Sequence, residues 1–335
     1  MKCVVCGLRD AVVMQKHTGR ALCRECFISD VISRVKKEIE RFHMFLSSDR
    51  LMIAASGGKD SYVLLDIILR LHDPSKIGVV TIVEGIEGYN RLEDVEKVRR
   101  LANANGVDVI VLSLKKYVGY SLTELVNLGF SKNVKISPCT FCGVLRRKAI
   151  NEIARDLGFT KVLTAHNLDD EVQTIIMNIL RGDLFRLIQI LPNGPILSKL
   201  FVRKVKPLRK IYEEEVAIYA HLIGYEFQTT DCPYLRYFPS LRAKIREYLY
   251  KLEKEKPGTL LNLIERIDSI LTKYVSHYMN YPELPRCAIC GEPTAYGRNY
   301  CMACELLTAL GISNPSYSRN NYLRLIPEIK EQQTY

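Results

Sequence analysis

Short runs of apolar residues alternate along the chain with longer segments in which apolar residues recur at helical spacing. Short apolar runs are typical of strands buried on both faces, and here they lie at 51–55, 78–83, 107–112 and 161–164. The segments with helical spacing lie at 62–71, 92–103, 145–157 and 171–180. This alternation predicts an α/β fold: a parallel sheet with helices on both faces and ligands at the carboxyl ends of the strands.

The composition excludes several classes of protein. Among 335 residues, 47% are hydrophobic and 25% are charged, which is ordinary for a globular chain and excludes disordered and collagen-like classes. No apolar run approaches the roughly 18 residues of a membrane-spanning helix, and the first ten residues lack the apolar core of a secretory signal. We therefore expect a cytoplasmic protein without a membrane partner. The formal net charge of +11 fits a polyanionic partner without proving one.

Eleven cysteines, an odd number without an export signal, favour metal or redox chemistry over a disulfide framework. Eight of them form two C-x2-C pairs near each end of the chain. These are Cys3, Cys6, Cys23 and Cys26, and Cys287, Cys290, Cys301 and Cys304. Two such pairs complete a closed tetrahedral all-sulfur site, which suits zinc and leaves no open position for catalysis. The sequence therefore predicts two structural zinc ribbons, one at each end.

A glycine-rich loop at 56–61, SGGKDS, joins the first predicted strand to the first predicted helix. Backbone N–H groups and the dipole at a helix N-terminus attract phosphate, and glycines let the backbone approach the anion closely. Lys59 adds a positive charge, while Ser56 and Ser61 add hydroxyl donors. The spacing differs from the G-x-x-x-x-G-K-S/T nucleotide loop, so a phosphate site of another kind is predicted.

Acidic residues follow the predicted strand 161–164 in the stretch AHNLDDE at 165–171. Asp169 and Asp170 sit at a strand end and open a helix, where carboxylates can hold magnesium on a polyphosphate. The alternative is an acidic first helical turn that is favoured by the helix dipole. The neighbouring phosphate loop favours the magnesium interpretation.

Three central cysteines allow three interpretations. Cys139 and Cys142 lie in PCTFCG, and Cys232 lies in DCPY about 90 residues later. They can be the three ligands of a 4Fe-4S cluster with one open iron, a redox or persulfide-carrying pair, or buried inert thiols. One C-x2-C pair is a weak signal, so the residues alone leave these alternatives open.

The SGGKDS loop resembles that of the PP-loop ATP pyrophosphatase superfamily. The whole set of motifs resembles the TtuA/NcsA/TtcA group of tRNA 2-thiouridine synthetases, with the TtuA form fitting best. The motifs are the two outer quartets, SGGKDS, PCTFCG, HNLDDE, VRKVKPL at 202–208, DCPY and PGT at 257–259. They span essentially the whole chain. This resemblance implies four segments: a zinc ribbon at 1–28, a linker helix and PP-loop domain at 29–235, a basic helical segment at 236–285, and a zinc ribbon with a tail at 286–335.

The resemblance implies a tRNA sulfurtransferase that adenylates the C2 oxygen of a uridine with ATP and magnesium and then replaces it with sulfur. It implies a 4Fe-4S cluster on Cys139, Cys142 and Cys232. Catalytic roles fall on Asp170, Lys59, Arg146, Cys139 and Cys232. ATP contacts fall on Ala54, Ser56, Gly57, Gly58, Lys59, Asp60, Ser61, Ile82, Val83, Arg146, Ala165 and Asp170.

Two positions depart from the pattern of the group. Ala165 replaces a glycine, which is a change between small residues, and Arg146 stands where TtuA members can carry a lysine. Arginine stays charged and can hold phosphate, but it does not readily accept a proton. Lys148 is close to Arg146 in sequence but off register.

The resemblance also implies partners. These are tRNA, a ubiquitin-like sulfur carrier with a C-terminal thiocarboxylate, and a second copy of the chain in a homodimer. The TtuA form favours uridine 54, and the NcsA form allows wobble uridine 34. The alternative from another class is a non-catalytic tRNA-binding scaffold, which the intact loop, acidic pair and cysteine trio disfavour.

Basic and aromatic residues interleave at 234–250, which suits RNA, although the segment also has the apolar spacing of a core-facing helix. The first ribbon carries four further basic or titratable residues that are candidate tRNA contacts. They are Arg9, Lys16, His17 and Arg20.

Overall fold

The chain begins with a small lobe that contains the first cysteine quartet. Strands β1 (Val13–Gln15) and β2 (Arg20–Leu22) pair in antiparallel fashion between the two cysteine pairs. Helix α1 (Arg24–Arg41) starts immediately after Cys23 and therefore carries Cys26 in its first turn. The computed structural model describes residues 1–89, 92–226, 232–234, 241–275 and 282–318.

Five parallel strands form the central sheet, and the sequence predicted four of them. They are β3 (Leu51–Ala54), β4 (Ile77–Val83), β5 (Val109–Ser113), β6 (Lys161–Thr164) and β7 (Arg203–Val205). Their order across the sheet is β5-β4-β3-β6-β7, with Leu51 of β3 opposite both Ile77 and Lys161. The last strand was not predicted from apolar runs because two of its three residues are basic. Strand β3 lies in the centre, so the loop that follows it opens in the middle of the carboxyl edge.

Helices cover both faces of the sheet. The bounds are α2 (Lys59–Leu71), α3 (Leu92–Ala104), α4 (Leu114–Val118), α5 (Leu122–Ser131), α6 (Pro138–Asp156), α7 (Leu168–Leu180), α8 (Leu184–Ile188), α9 (Glu213–Leu222), α10 (Leu241–Glu255), α11 (Thr259–Tyr274) and α12 (Met302–Ala309). The prediction that α6 begins at 145 was wrong. It begins at Pro138, because proline is well suited to the first helical position, and the helix therefore includes Cys139 and Cys142.

Alternate residues of the strands enter two separate cores. Leu51 and Ile53 face a core formed with α1, α2, α7, α9 and α11, whereas Met52 faces one formed with α4, α5, α6 and α12. This alternation follows from the two-residue period of a strand. In the described part of the chain, no helix is both long enough and apolar enough to cross a membrane.

A buried ion network joins the helical segment after α9 to the rest of the fold. The fully buried Arg209 donates to Glu38 of α1 and to Asp268 of α11, with nitrogen–oxygen distances of 2.7 Å in each case. A buried arginine needs such partners because an unpaired charge away from water is strongly destabilising. The network therefore fixes α1 and α11 against the segment that follows β7.

Candidate active site

The glycine-rich loop has the geometry of an anion site at a helix N-terminus. Gly58 is the N-cap of α2, and no side chain caps this helix. Gly57 has φ +82, and a Cβ atom there would lie 3.1 Å from Asp94 Cβ and from the backbone nitrogen of Val95. Tyr225 donates a hydrogen bond of 2.7 Å to the carbonyl of Gly57. Only glycine suits this position. The loop leaves the N-terminus of α2 without a side-chain cap, where an anion can bind.

Lys59 lies in a cluster of carboxylates beside the loop. Its Nζ is 3.0 Å from Asp60 Oδ2 and 3.3 Å from Glu213 Oε1. Burial opposes the charge of Lys59, but these carboxylates outweigh burial and raise the pKa of the ammonium. Ser61 is buried and donates to the Gly58 carbonyl at 2.9 Å, so its hydroxyl stabilises the first turn of α2. The lysine is thus charged and held by contacts that an incoming phosphate can replace.

The two predicted acidic residues have different partners. Asp170 forms a capping box with Asn167 at the start of α7. It is therefore part of the acidic first helical turn that the alternative interpretation describes. Asp170 also belongs to the cluster: burial raises the pKa of its carboxyl, Arg242 opposes this at 3.6 Å, and Asp60 adds to it. Burial raises the pKa of Asp169 to about 6, and its Oδ2 accepts from the Glu213 N–H at 2.8 Å. A carboxylate cluster of this kind suits a divalent cation on a polyphosphate.

A cavity of about 320 Å³ opens beside the loop at the carboxyl edge of the sheet. It is lined by Ser56, by both ATP-contact residues predicted on β4, by all three central cysteines and by Arg146. These residues are Ser56, Ile82, Val83, Cys139, Cys142, Arg146 and Cys232. Ala54 and Ala165 are the last residue of β3 and the first residue after β6, on neighbouring strands of the same edge. Residues far apart in the chain therefore meet around one chamber.

The three central cysteines approach the cavity from two segments. Cys139 and Cys142 are three residues apart on α6 and so share a helical face, and Cys232 faces them from beyond α9. Burial raises the pKa of Cys142 to about 12, with Arg146 opposing this shift and Glu84 adding to it. Burial also raises the pKa of Cys139, and Cys232 contributes. Thiols with raised pKa values are poor free nucleophiles, so metal coordination suits Cys139 and Cys142 better than redox exchange.

The outer quartets have the geometry of single-ion sites. Within the described residues, the groups whose ligand atoms all lie within 4.8 Å of one another are these two quartets. Cys6 and Cys23 have sulfurs 3.9 Å apart, and Cys290 and Cys301 have sulfurs 3.6 Å apart. Tetrahedral zinc–sulfur bonds of ~2.3 Å place sulfurs ~3.8 Å apart. The central trio is spaced more widely, as expected for ligands of a group larger than one ion.

Arg146 and Lys148 lie on different faces of α6. Arg146 pairs with Glu84 at 2.9 Å and lines the cavity. Lys148 instead donates to Glu152 at 2.7 Å and to Cys290 Sγ of the C-terminal quartet at 3.4 Å. Lys148 therefore cannot supply the lysine that is missing at 146. Its contacts fix the C-terminal ribbon to the back of the helix that carries two central cysteines.

Lys148→Met should destabilise the protein by about 3 kcal/mol, because it leaves the fully buried Glu152 without its ammonium partner. Urea unfolding, followed separately by far-ultraviolet and tyrosine signals, measures this effect. The control is Lys148→Met combined with Glu152→Gln, which removes both charges and should recover most of the loss. A single variant as stable as the wild type would show that this contact does not hold the ribbon.

The basic segment and the first ribbon are engaged within the chain. In α10, Arg242 donates to Thr174 at 2.8 Å and Arg246 to Glu213 at 2.9 Å, while Ile245 and Leu249 are buried. The helix thus has both a core face and a basic face directed at the carboxylate cluster.

In the first ribbon, Lys16 pairs with Glu214 and Arg20 with Asp30, at 2.6 Å each. His17 packs on Tyr212, and Arg9 lies 3.6 Å from Glu25. Residues 235–240 of the predicted basic segment lie outside the described residues.

Sequence reasoning missed several residues of the site. Glu84 directly follows the apolar end of β4, and its position at the carboxyl end of a parallel strand could have identified it. Glu213 and Tyr225 reach the loop from α9 and from the residues after it, and no local motif signals either contact. Both are tertiary contacts between segments more than 150 residues apart.

Comparison with known proteins identifies the family. Residues 31–253 match the PP-loop domain, and residues 2–28 match the N-terminal LIM domain of the 2-thiouridine synthetase TtuA. A probable sulfurtransferase of Methanocaldococcus jannaschii is 33% identical over 91% of this chain and 87% of its own length. The cytoplasmic tRNA 2-thiolation protein 1 of Saccharomyces cerevisiae is 30% identical over 95% of this chain and 89% of its own length.

A solved structure covers nearly the whole fold. The U34-tRNA thiolase NcsA from Methanococcus maripaludis, determined with its 4Fe-4S cluster, has a TM-score of 0.75 and is 29% identical. The match covers 94% of this chain and 98% of that one. The fold of the chain therefore agrees with that of this solved thiolase. The chain belongs to the PP-loop family and, within it, to the sulfurtransferases that thiolate tRNA.

Proposed function

We propose that this chain makes 2-thiouridine in tRNA within the 320 Å³ cavity, which adjoins the phosphate loop and contains the cysteine trio. The observation that carries the proposal is this common lining: Ser56, Ile82 and Cys142 face one chamber. A uridine oxygen activated by ATP and a source of sulfur must come within contact of each other for the exchange. A second cavity, beside Tyr62 and Tyr225, is lined by neither the phosphate loop nor the cysteine trio.

ATP fits along the carboxyl edge of β3 and β4. The backbone at Ile82 and Val83 contacts the adenine, and the loop at 56–61 holds the triphosphate. Lys59 exchanges Glu213 for phosphate oxygens, and Asp60 and Asp170 hold magnesium. The C2 oxygen of the uridine attacks the α-phosphorus and pyrophosphate leaves. That oxygen then departs with AMP when sulfur bonds to C2.

The cysteine trio fits a 4Fe-4S cluster with three protein ligands. When bound, the cluster offers one open iron at which inorganic sulfur can be held. Cys139, Cys142 and Cys232 would hold the other three irons, and their wider spacing than in the quartets supports this assignment. Arg146, fixed by Glu84 beside Cys142, supplies positive charge to the anionic site. Because arginine keeps its proton, Arg146 acts here as an electrostatic partner and not as a base.

Zinc is the ion proposed for each outer quartet, on the sulfur spacing given above. The proposed location is the cytoplasm, as for the relatives that carry this word in their names. The sulfur carrier with a thiocarboxylate and the homodimer remain predictions from the family resemblance.

For the target, uridine 34 is better supported than uridine 54. The sequence predicted position 54 from the TtuA resemblance, and the match of residues 2–28 to the TtuA N-terminal domain favours it. The thiolase whose name specifies U34 matches 94% of the chain, whereas the TtuA N-terminal domain matches residues 2–28. We give the longer match more weight.

Mass spectrometry of nuclease fragments tests this function directly. Unmodified tRNA is incubated anaerobically with the holoenzyme, ATP, magnesium and sulfide, and pyrophosphate release is followed in parallel. We expect 2-thiouridine at position 34 with one pyrophosphate released per sulfur inserted. Thiouridine at position 54 would instead support the target that the TtuA resemblance predicted. Tight tRNA binding without pyrophosphate or thiouridine would identify a non-catalytic scaffold and refute the proposal.

A further inference from the structure

Two neighbouring cations, one of them beside the cavity wall, have no counter-charge among the residues that the structure describes. Arg147 of α6 and Lys204 of β7 are both exposed, and within the described residues no hydrogen bond or ion pair engages either side chain. Their basic neighbours differ in this respect. Arg146 pairs with Glu84 at 2.9 Å, and Lys206 pairs with Glu171 at 2.6 Å. Among the described residues, the absence of a partner thus distinguishes Arg147 and Lys204 from Arg146 and Lys206.

Arg147 lies against the wall of the cavity. It is four residues after Gly143 on α6 and thus one turn further along the same face. Its guanidinium nitrogens reach back to within 3.2 Å of the position that a Cβ of Gly143 would occupy. Gly143 itself lines the cavity together with Cys142. The guanidinium therefore lies beside a residue of the cavity wall, although Arg147 does not itself line the chamber.

Lys204 lies on the same face of the sheet. It is opposite Val162 of β6, whose side chain is buried in the core that contains α6. Val205, the next residue, enters the core on the other face. Since side chains alternate along a strand, Lys204 projects toward α6. Strand β7 is two strands from β3, so Lys204 lies roughly 10 Å from the strand that precedes the phosphate loop.

The two charges disfavour each other in the free protein. Although its side chain reaches solvent, partial desolvation by the surrounding protein lowers the pKa of Lys204 to about 8, and the positive charges of Arg147 and Lys206 add to this effect. Burial and the neighbouring Arg146 likewise lower the pKa of Arg147. Both groups are still charged near neutral pH. An anion placed between them would relieve the repulsion and recover the lost solvation.

We propose that Arg147 and Lys204 form a subsite for a phosphodiester of the tRNA strand that flanks the target uridine. A base splayed into the cavity keeps its own phosphates outside the chamber, and Arg147 lies beside Gly143 of the cavity wall with Lys204 as its neighbouring charge. The planar fork of Arg147 suits two phosphate oxygens, and Lys204 contributes a point charge. ATP does not need the pair, because its triphosphate has a separate site at the N-terminus of α2. This inference rests on the proposed function only in requiring tRNA as the ligand.

Binding of tRNA to the holoenzyme at several salt concentrations tests the subsite. Lys204→Gln and Arg147→Gln should each weaken binding by about tenfold and reduce the slope of log affinity against log salt by about 1. ATP affinity and the visible absorbance of the holoenzyme should not change. The matched control is Lys76→Gln. Lys76 directly precedes β4 and so lies at the amino ends of the strands, away from the carboxyl edge where the cavity opens. Unchanged tRNA affinity in both variants, or a loss of ATP affinity instead, would overturn the proposal.

A second measurement locates the phosphate. An RNA stem-loop is made with one uncharged methylphosphonate linkage next to the target uridine, and its affinity is measured for wild type and Lys204→Gln. If Lys204 binds this phosphate, removing the lysine and removing the charge of the linkage eliminate the same interaction. On the methylphosphonate RNA, Lys204→Gln should therefore bind as tightly as the wild type. The same tenfold loss on both RNAs would overturn the assignment to the flanking phosphate. Because both measurements follow binding without turnover, failure of 2-thiouridine formation would leave them interpretable.

Discussion

Cys142→Ala is expected to abolish 2-thiouridine formation while leaving ATP and tRNA binding close to wild type. Cys142 lines the cavity at the second turn of α6, next to Arg146 and across from Cys232. Removal of an outer-shell partner at a metal site already costs about 10- to 100-fold, so loss of a ligand should cost more. ATP binding should survive because the phosphate loop belongs to β3 and α2.

Thr140→Ala is the matched control for this variant. Thr140 lies between the two cysteines on the same turn and is exposed, and among the described residues its hydroxyl contacts the Ser137 hydroxyl at 3.4 Å. Thiolation and iron content should be retained in this control and lost together in Cys142→Ala. Measurable thiolation by Cys142→Ala with normal yield would contradict a role for this thiol in holding the cluster.

Lys59→Met is expected to show the opposite pattern, with iron retained and the use of ATP lost. Lys59 is the cation of the loop and lies between Asp60 and Glu213, which hold it near the helix N-terminus. Loss of one preorganised donor to developing charge typically costs about 100- to 1000-fold. We expect a decrease of that size in both pyrophosphate release and thiolation.

Lys59→Arg separates charge from geometry. It keeps the charge but replaces a compact ammonium with a planar fork, so partial activity is expected. Visible spectra of both variants should match the wild type, because Lys59 does not line the chamber that contains the cysteines. If Lys59→Met released pyrophosphate at the wild-type rate, the loop assignment would be wrong.

The sequence predicted the central sheet and the phosphate loop because both depend on local patterns. Apolar runs specify buried strands, and a glycine pair between a strand and a helix specifies the turn at Gly57, whose φ is +82. The two outer quartets were equally predictable, since C-x2-C spacing predicts the close sulfur groups that the fold contains. Strand β7 was missed because Arg203 and Lys204 dominate it.

Contacts between distant segments could not be predicted from spacing. Cys232 reaches the cavity of Cys142 from a segment 90 positions later, and only the family resemblance suggested this. The bonds from Tyr225 to Gly57 and from Lys148 to Cys290 join residues 168 and 142 positions apart. Such pairs depend on how helices pack on the sheet, which the local sequence of either partner does not specify.

Iron analysis of anaerobically purified protein tests the central claim most directly. The wild type should contain about four iron atoms per chain, in addition to the metal of the quartets, with the broad visible absorbance of a 4Fe-4S cluster. Cys232→Ala should lose that iron and absorbance while keeping the metal of the quartets. A wild-type protein that thiolates tRNA without iron, or a Cys232→Ala variant that keeps all four iron atoms, would contradict the account.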